Sequence, residues 1–170
     1  MLIVFDLDDT LFHASGQMKY ETRWQDVKGI IPFSGVHEFL NSYPAKKILL
    51  TWETDNGLQD TKINNLGIRS FFDEILICHS NEEKKQHLAQ IKQKYSSDEV
   101  CVVGDRIDAE IQYGNELGMK TVRLKYGKYK EMMPQHELQQ AHHTITEFSQ
   151  LQSVLRNAAI VSGTNKVVLQ

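Results

Sequence analysis

Three aspartates fall within four positions directly behind the apolar run Leu2 to Phe5: Asp6, Asp8 and Asp9. Asp6 and Asp8 are two residues apart. Two carboxylates that close repel each other unless a cation or a proton intervenes. A hard divalent cation such as Mg²⁺ suits oxygen ligands of this kind. With the metal in place, one carboxylate can attack phosphorus and form an aspartyl-phosphate. The other can protonate the leaving oxygen and then activate water. The plain alternative is a strand that ends in an acidic turn, but three aspartates in this space are not common there.

These residues need a scaffold, and the sequence alternates strand and helix patterns. Leu2–Phe5, Lys46–Thr51, Glu74–Cys78, Val100–Val103 and Thr121–Leu124 are apolar runs of strand length, as parallel strands buried on both faces should be. Helices are expected from Gly35 to Leu40, from Asn56 to Leu66 with Gly67 as C-cap, and from a Ser80 or Asn81 cap through Leu88, Ile91 and Tyr95. Others run over Ala109–Leu117 and Thr146–Leu155, and a weak strand follows near Lys166–Leu169. The irregular segments are Leu11–Ile31, Lys125–His143 and the tail from Asn157. This alternation predicts a three-layer α/β/α sandwich around a Rossmann-like, mainly parallel sheet. Ligands of such sheets bind at the carboxyl ends of the strands. Asp6, Thr51 and Asp105 each stand at one of those ends.

DLDDTL resembles the first motif, DxDxT, of the haloacid dehalogenase (HAD) superfamily. The resemblance implies that Asp6 is the nucleophile and a metal ligand, that Asp8 is the general acid/base and gives its backbone carbonyl to the metal, and that Thr10 buttresses the loop. It also implies that Thr51 of ILLTWE, with backbone N–H groups at Leu7, Asp8 and Trp52, holds the phosphoryl oxygens; a neutral donor there does not compete for the metal. The family's lysine falls on Lys84 or Lys85. Lys84 shares a helical face with Leu88, Ile91 and Tyr95, so it is the first choice and Lys85 the second. VCVVGDRIDAEI resembles the family's fourth motif, with Asp105 as metal ligand. The second acid is Glu110 where the pattern has Asp. Asp108 is the other candidate, its plain role being the N-cap of the helix that follows.

The resemblance runs from Met1 to about Leu155 and implies a phosphate-monoester hydrolase that uses Mg²⁺. A dehalogenase of the same superfamily is disfavoured by Asp8, and a catalytically dead binding module by the presence of all four motifs. Only some twenty residues, 11–31, separate the first motif from IPFSG. A cap domain of ~50 residues or more does not fit there. The expectation is one capless domain over 1–156, a short flap at about 11–31, a tail at 157–170, and an open site. A bulky phosphorylated substrate or a second copy of the chain would then supply the missing wall.

The chain has 170 residues and a net charge of -3, ordinary for one domain with a full core. Composition offers no nucleic-acid signal. Its apolar runs fall far short of the ~20 residues of a membrane span, and the N-terminal run is too short for a signal core, so the expected location is cytoplasmic. Cys78 and Cys101 make neither a disulfide framework nor a zinc site. The seven histidines show no metal-ligand spacing.

Overall fold

A computed structural model describes residues 1–96 and 99–163, with side chains described to Asn157. Among the described residues, six parallel strands form one sheet: β1 Leu2–Phe5, β2 Lys46–Trp52, β3 Glu74–Cys78, β4 Val100–Gly104, β5 Lys120–Leu124 and β6 His143–Ile145. The order is β3-β2-β1-β4-β5-β6. The chain winds outward from β1 to β3, then crosses back to place β4 on the other side of β1. That reversal opens a crevice above the carboxyl ends of β1 and β4, where doubly wound sheets bind their ligands.

The helices are α1 Ala14–Gln17, α2 Arg23–Asp26, α3 Val36–Ser42, α4 Leu58–Asn65, α5 Asn81–Lys94, α6 Gln112–Glu116 and α7 Leu151–Gly163. Alternate residues of β1 serve opposite layers, because side chains in a strand point to opposite faces. Ile3 and Phe5 pack with Phe39 and Leu40 of α3, Ile63 of α4 and Leu151 of α7. Leu2 and Val4 pack with Leu88 and Ile91 of α5. Burying each such side chain contributes roughly 1.5–3 kcal/mol. Phe5 also meets Phe39 edge to face at 6.1 Å, a favoured geometry for aromatic rings.

Three expectations need adjusting. Strand β6 lies where the sequence reads as irregular or as the edge of a loop: it has three residues, two of them exposed, so it carries little apolar signal. Helix α7 runs from Leu151 to Gly163, past the boundary drawn at residue 156. The flap is not wholly irregular, since it contains α1 and α2. The strand expected near Lys166–Leu169 lies outside the described residues. Among the described residues, no helix is long and apolar enough to cross a membrane.

Candidate active site

The backbone places Asp6 before its side chain does anything. Asp6 N–H donates to the Val103 carbonyl at 2.9 Å, extending the β1–β4 ladder by one residue. The nucleophile candidate is thus locked to the strand that delivers Asp105. Its carboxylate accepts from Lys84 Nζ at 2.7 Å on one oxygen and faces the Thr10 hydroxyl at 3.4 Å on the other.

Lys84 is 3% exposed and sits in the first turn of α5, whose N-cap is Ser80: the Glu83 N–H donates to the Ser80 hydroxyl at 3.1 Å. Its ammonium also bonds Glu110. Burial alone would lower the Lys84 pKa, but the Asp6 and Glu110 carboxylates outweigh it and hold the group above its ordinary value. Lys85 points elsewhere: it pairs with Glu116 at 2.7 Å on a half-exposed surface.

Glu110 arrives by an unusual turn. Residues Ile107–Ile111 form a π-helical turn, with Ile111 N–H donating to the Arg106 carbonyl at 3.2 Å. Such wide turns often occur at functional sites. The extra residue swings Glu110 back over Gly104, where an added Cβ would come within 2.7 Å of the glutamate side chain. Gly104 is therefore required by close approach. Asp108, the alternative acid, does not reach the cleft centre and does not cap the helix. The N-cap position is Arg106, and Asp108 pairs with the Arg106 guanidinium at 3.1 Å. The wide turn shifts the helix start by two residues and takes Asp108 off the cap.

Thr51 is the penultimate residue of β2 and is 1% exposed. Gln59 of α4 donates to its hydroxyl oxygen at 2.8 Å and to the Trp52 carbonyl at 2.9 Å. With a donor already supplied to its oxygen, the Thr51 hydroxyl has its own proton free for an acceptor in the cleft. Gln59 is held in turn by Glu53, whose carboxylate accepts from the Gln59 N–H at 3.1 Å and the Gly57 N–H at 3.3 Å. Leu7 is fully buried beneath the loop and its carbonyl accepts from Leu11 N–H at 2.9 Å. Trp52 is partly exposed and walls the cleft.

Asp8 holds a partner that the sequence reading missed. Its two oxygens accept from Lys62 Nζ at 2.8 Å each, and Gln59 Nε2 reaches one of them at 3.1 Å. Lys62 lies on α4, 54 positions away, in a segment that matches none of the quoted motifs. Asp9 was also left without a role. It adopts φ 54°, and its buried carboxylate accepts from Ser15 at the start of the flap and from the Lys128 N–H beyond β5.

The cleft has a volume of about 430 Å³. Asp6, Asp8, Thr51, Lys84, Asp105 and Glu110 all line it, and the flap adds Met18, Tyr20 and Arg23 to its rim. Arg23 pairs with Asp55 in the β2–α4 connection, so the flap is tied down on the far side of the cleft.

Burial, then Glu110, Asp6 and Asp9, push the Asp105 carboxyl above the usual carboxylate range, against the pull of Lys84. Burial does the same to Asp6, with Lys84 opposing. Glu110 Oε2 is buried without a hydrogen-bond partner. One ammonium faces three carboxylates, an excess of buried negative charge that suits a hard cation. Among the described residues, no group of three or more His, Cys, Asp or Glu side chains is arranged to hold a metal ion alone. Asp6 and Asp105 are the carboxylates of this cluster that could hold such a cation.

The HAD-hydrolase-like family model matches residues 82–151. The putative HAD-hydrolase YfnB of Bacillus subtilis, solved with magnesium bound, superposes with a TM-score of 0.68 over 91% of this chain and 97% of that one, at 13% identity. The chain is similar to HAD-like hydrolases over residues 82–151 and shares the fold of their solved structures. The L-2-haloacid dehalogenase of Xanthobacter autotrophicus shares the fold at a TM-score of 0.67 and 11% identity, covering 91% of this chain and 98% of that one. Among curated relatives, the glyceraldehyde 3-phosphate phosphatase of Methanocaldococcus jannaschii is 34% identical over 101 residues, 56% of this chain. That of Pyrococcus furiosus is 29% identical over 169 residues, 89% of this chain. The chain spans 43% of the first relative's length and 68% of the second's.

Proposed function

We propose that the chain is a Mg²⁺-dependent phosphate-monoester hydrolase working through an aspartyl-phosphate on Asp6. The observation that supports this best is the bridging of Asp6 and Glu110 by the buried Lys84, at the strand ends where Thr51 and Asp105 also stand. The site supplies a nucleophile, a fixed cation for the equatorial phosphoryl oxygens, and a neutral donor, which is what phosphoryl transfer asks of a protein. Mg²⁺, held by Asp6, Asp105 and the Asp8 carbonyl with Glu110 acting through bound water, would neutralise the phosphoryl charge and permit approach of a carboxylate.

In the first step an Asp6 oxygen bonds to phosphorus, the bond from phosphorus to the leaving oxygen breaks, and Asp8 gives that oxygen a proton. In the second, water loses a proton to Asp8 and its oxygen bonds to phosphorus. The Asp6–phosphorus bond then breaks, releasing phosphate. Lys84, Thr51 and the N–H groups of Leu7, Asp8 and Trp52 face the phosphoryl oxygens in both steps.

The names of the curated relatives make glyceraldehyde 3-phosphate the first substrate to try. The test is phosphate release from it and from p-nitrophenyl phosphate, with Mg²⁺ or with chelator, by the wild-type chain and by Asp6→Asn. Mg²⁺-dependent release by the wild type alone supports the reading. Equal release by Asp6→Asn, or none by either protein, overturns it.

A further inference from the structure

We infer that Lys62 is a positioning residue for the acid/base Asp8, one that none of the quoted motifs contains. The inference rests on the phosphatase reading above. The Lys62 ammonium lies 2.8 Å from both Asp8 oxygens. Its side chain is 7% exposed while that of Asp8 is 38% exposed. The buried partner therefore anchors the more accessible one, and the Phe12 ring, 5.8 Å away, walls the ammonium on another side. A lysine placed inside a helix against the core gives up hydration and side-chain freedom. That cost is offset chiefly by the pair it makes, and the pair ends on the one carboxylate that must meet both the leaving group and the attacking water.

The placement has a chain of supports. Glu53 fixes the first turn of α4 by accepting from Gly57 and Gln59 N–H groups. Gln59 and Lys62, three residues apart on one face of α4, then hold Asp8 from two directions. Gln59 also holds Thr51, so a single helical turn sets the spacing between the acid/base and the phosphoryl donor. A general base acts only within hydrogen-bond reach of the proton it takes. Here the core helix α4, not the flap, keeps Asp8 within that reach.

Leaving-group chemistry separates positioning from mere structural support. p-Nitrophenolate departs without a proton, so with p-nitrophenyl phosphate Asp8 is needed only when water attacks the phosphoenzyme. Lys62→Met should then slow breakdown and spare formation. The expected result is a burst approaching one nitrophenolate per chain and a kcat reduced about 10- to 100-fold, a fraction of the 10²–10⁴ that general acid–base catalysis supplies. KM should fall in parallel, so that kcat/KM stays within about threefold of wild type. An alkyl phosphate, which needs the proton in the first step as well, should lose kcat/KM too. Lys62→Arg, which keeps a cation on Asp8, should recover most of kcat. Lys62→Gln serves as a second test should Lys62→Met not fold. A folded variant with no burst, and with kcat/KM falling in proportion to kcat on the aryl substrate, overturns the inference. So does an unchanged kcat. Wild-type protein that turns over neither substrate sinks the phosphatase reading itself, a different failure from a wild type that works and a variant that shows no burst.

Discussion

The carboxyl group of Asp9 occupies the space that any side chain at Gly127 would need. A Cβ built on Gly127, which has φ 65°, would lie 2.2 Å from the Asp9 carboxyl carbon. The same carboxylate accepts from Ser15 and from the Lys128 N–H, so it joins the flap to the loop after β5. The third aspartate of the first motif thus holds two walls of the cleft together. Gly127→Ala should destabilise the chain by more than the roughly 1–2 kcal/mol that a left-handed backbone costs a non-glycine residue, because the clash is added. In an Asp9→Gly background the same substitution should cost only the backbone part. Urea denaturation of the four proteins measures this; equal costs in both backgrounds would show that the two residues do not compete for space.

The excess of carboxylates predicts opposite responses to metal and to mutation. Mg²⁺ at about 100 times its Kd should stabilise the folded chain by about 2.7 kcal/mol, a rise in Tm of roughly 5–10 °C for a chain of this size. Asp105→Asn removes a charge that burial and its neighbours already disfavour. It should raise the Tm of the metal-free chain while abolishing the Mg²⁺ response. Differential scanning fluorimetry with and without Mg²⁺ would show this as two curves that exchange order.

Lys84 and Lys85 are adjacent and should differ sharply. Lys84→Met leaves Asp6 and Glu110 buried without their cation, a change that costs about 3–5 kcal/mol for buried pairs. It should also remove turnover. Lys85 pairs with Glu116 and lies over the Tyr113 ring at the surface, away from the cleft, so Lys85→Met should leave turnover as it was and change Tm little. Loss of turnover in the Lys85 variant would mean that α5 is rotated from the position described.

The buried thiols provide a pH prediction. Burial pushes Cys101 up to about 12 and Cys78 up to about 11, from an ordinary value of 9.0. Below pH 9 both folded and unfolded chains keep these protons, and the thiols have no effect on stability. Above it the unfolded chain releases them first, so stability falls with rising pH until each folded pKa is passed. The loss is at most about 1.4 kcal/mol per pH unit per thiol. Cys101→Ala should remove part of that slope between pH 9 and 12 relative to wild type. Neither thiol should react with a disulfide reagent at pH 8 until the chain is unfolded.

Five of the six strands were legible because each is a compact apolar run, and parallel strands buried on both faces need that composition. β6 was not, since His143 and Thr144 face solvent and only Ile145 is buried. Within the site, Asp6, Thr51, Lys84, Asp105 and Glu110 stand at strand ends or beside them, where position in the chain already implies position in space. Lys62 and Gln59 act from one face of a helix, across 54 and 51 residues of sequence. Nothing local marks them. The only available signal was a lysine one residue before the apolar Ile63 on a helix whose apolar pattern is weak. The N-cap role read for Asp108 fails for a different reason: a π-helical turn adds a residue that the usual helix period does not allow for.

The flap decides how far the site depends on something outside it. It begins and ends together: Phe33 N–H donates to the Leu11 carbonyl at 2.9 Å, and Gln17 exchanges hydrogen bonds with Ile31 at 2.9 and 2.7 Å. The Asn65 amide of α4 also donates to the Val27 carbonyl at 2.9 Å. These contacts secure the base of the flap and one side. The side that overhangs the cleft is held by Arg23, which stacks 4.0 Å above the Tyr20 ring and pairs with Asp55. Asp55→Ala should therefore loosen α2 without unfolding the domain, because the core beneath it is untouched. Hydrogen exchange should quicken over residues 19–27 and stay constant in β1 and β4. Water should then reach the cleft more easily, and enzymes lose rate when water is not excluded during chemistry. A small aryl phosphate such as p-nitrophenyl phosphate should suffer most, since it has little bulk of its own to cover the opening. A phosphopeptide, which covers the cleft itself, should lose less. If both substrates lose activity equally, the flap is a rigid wall whose ion pair does not gate access. If neither does, closure must come from a partner or a second copy of the chain, and light scattering under assay conditions would show it.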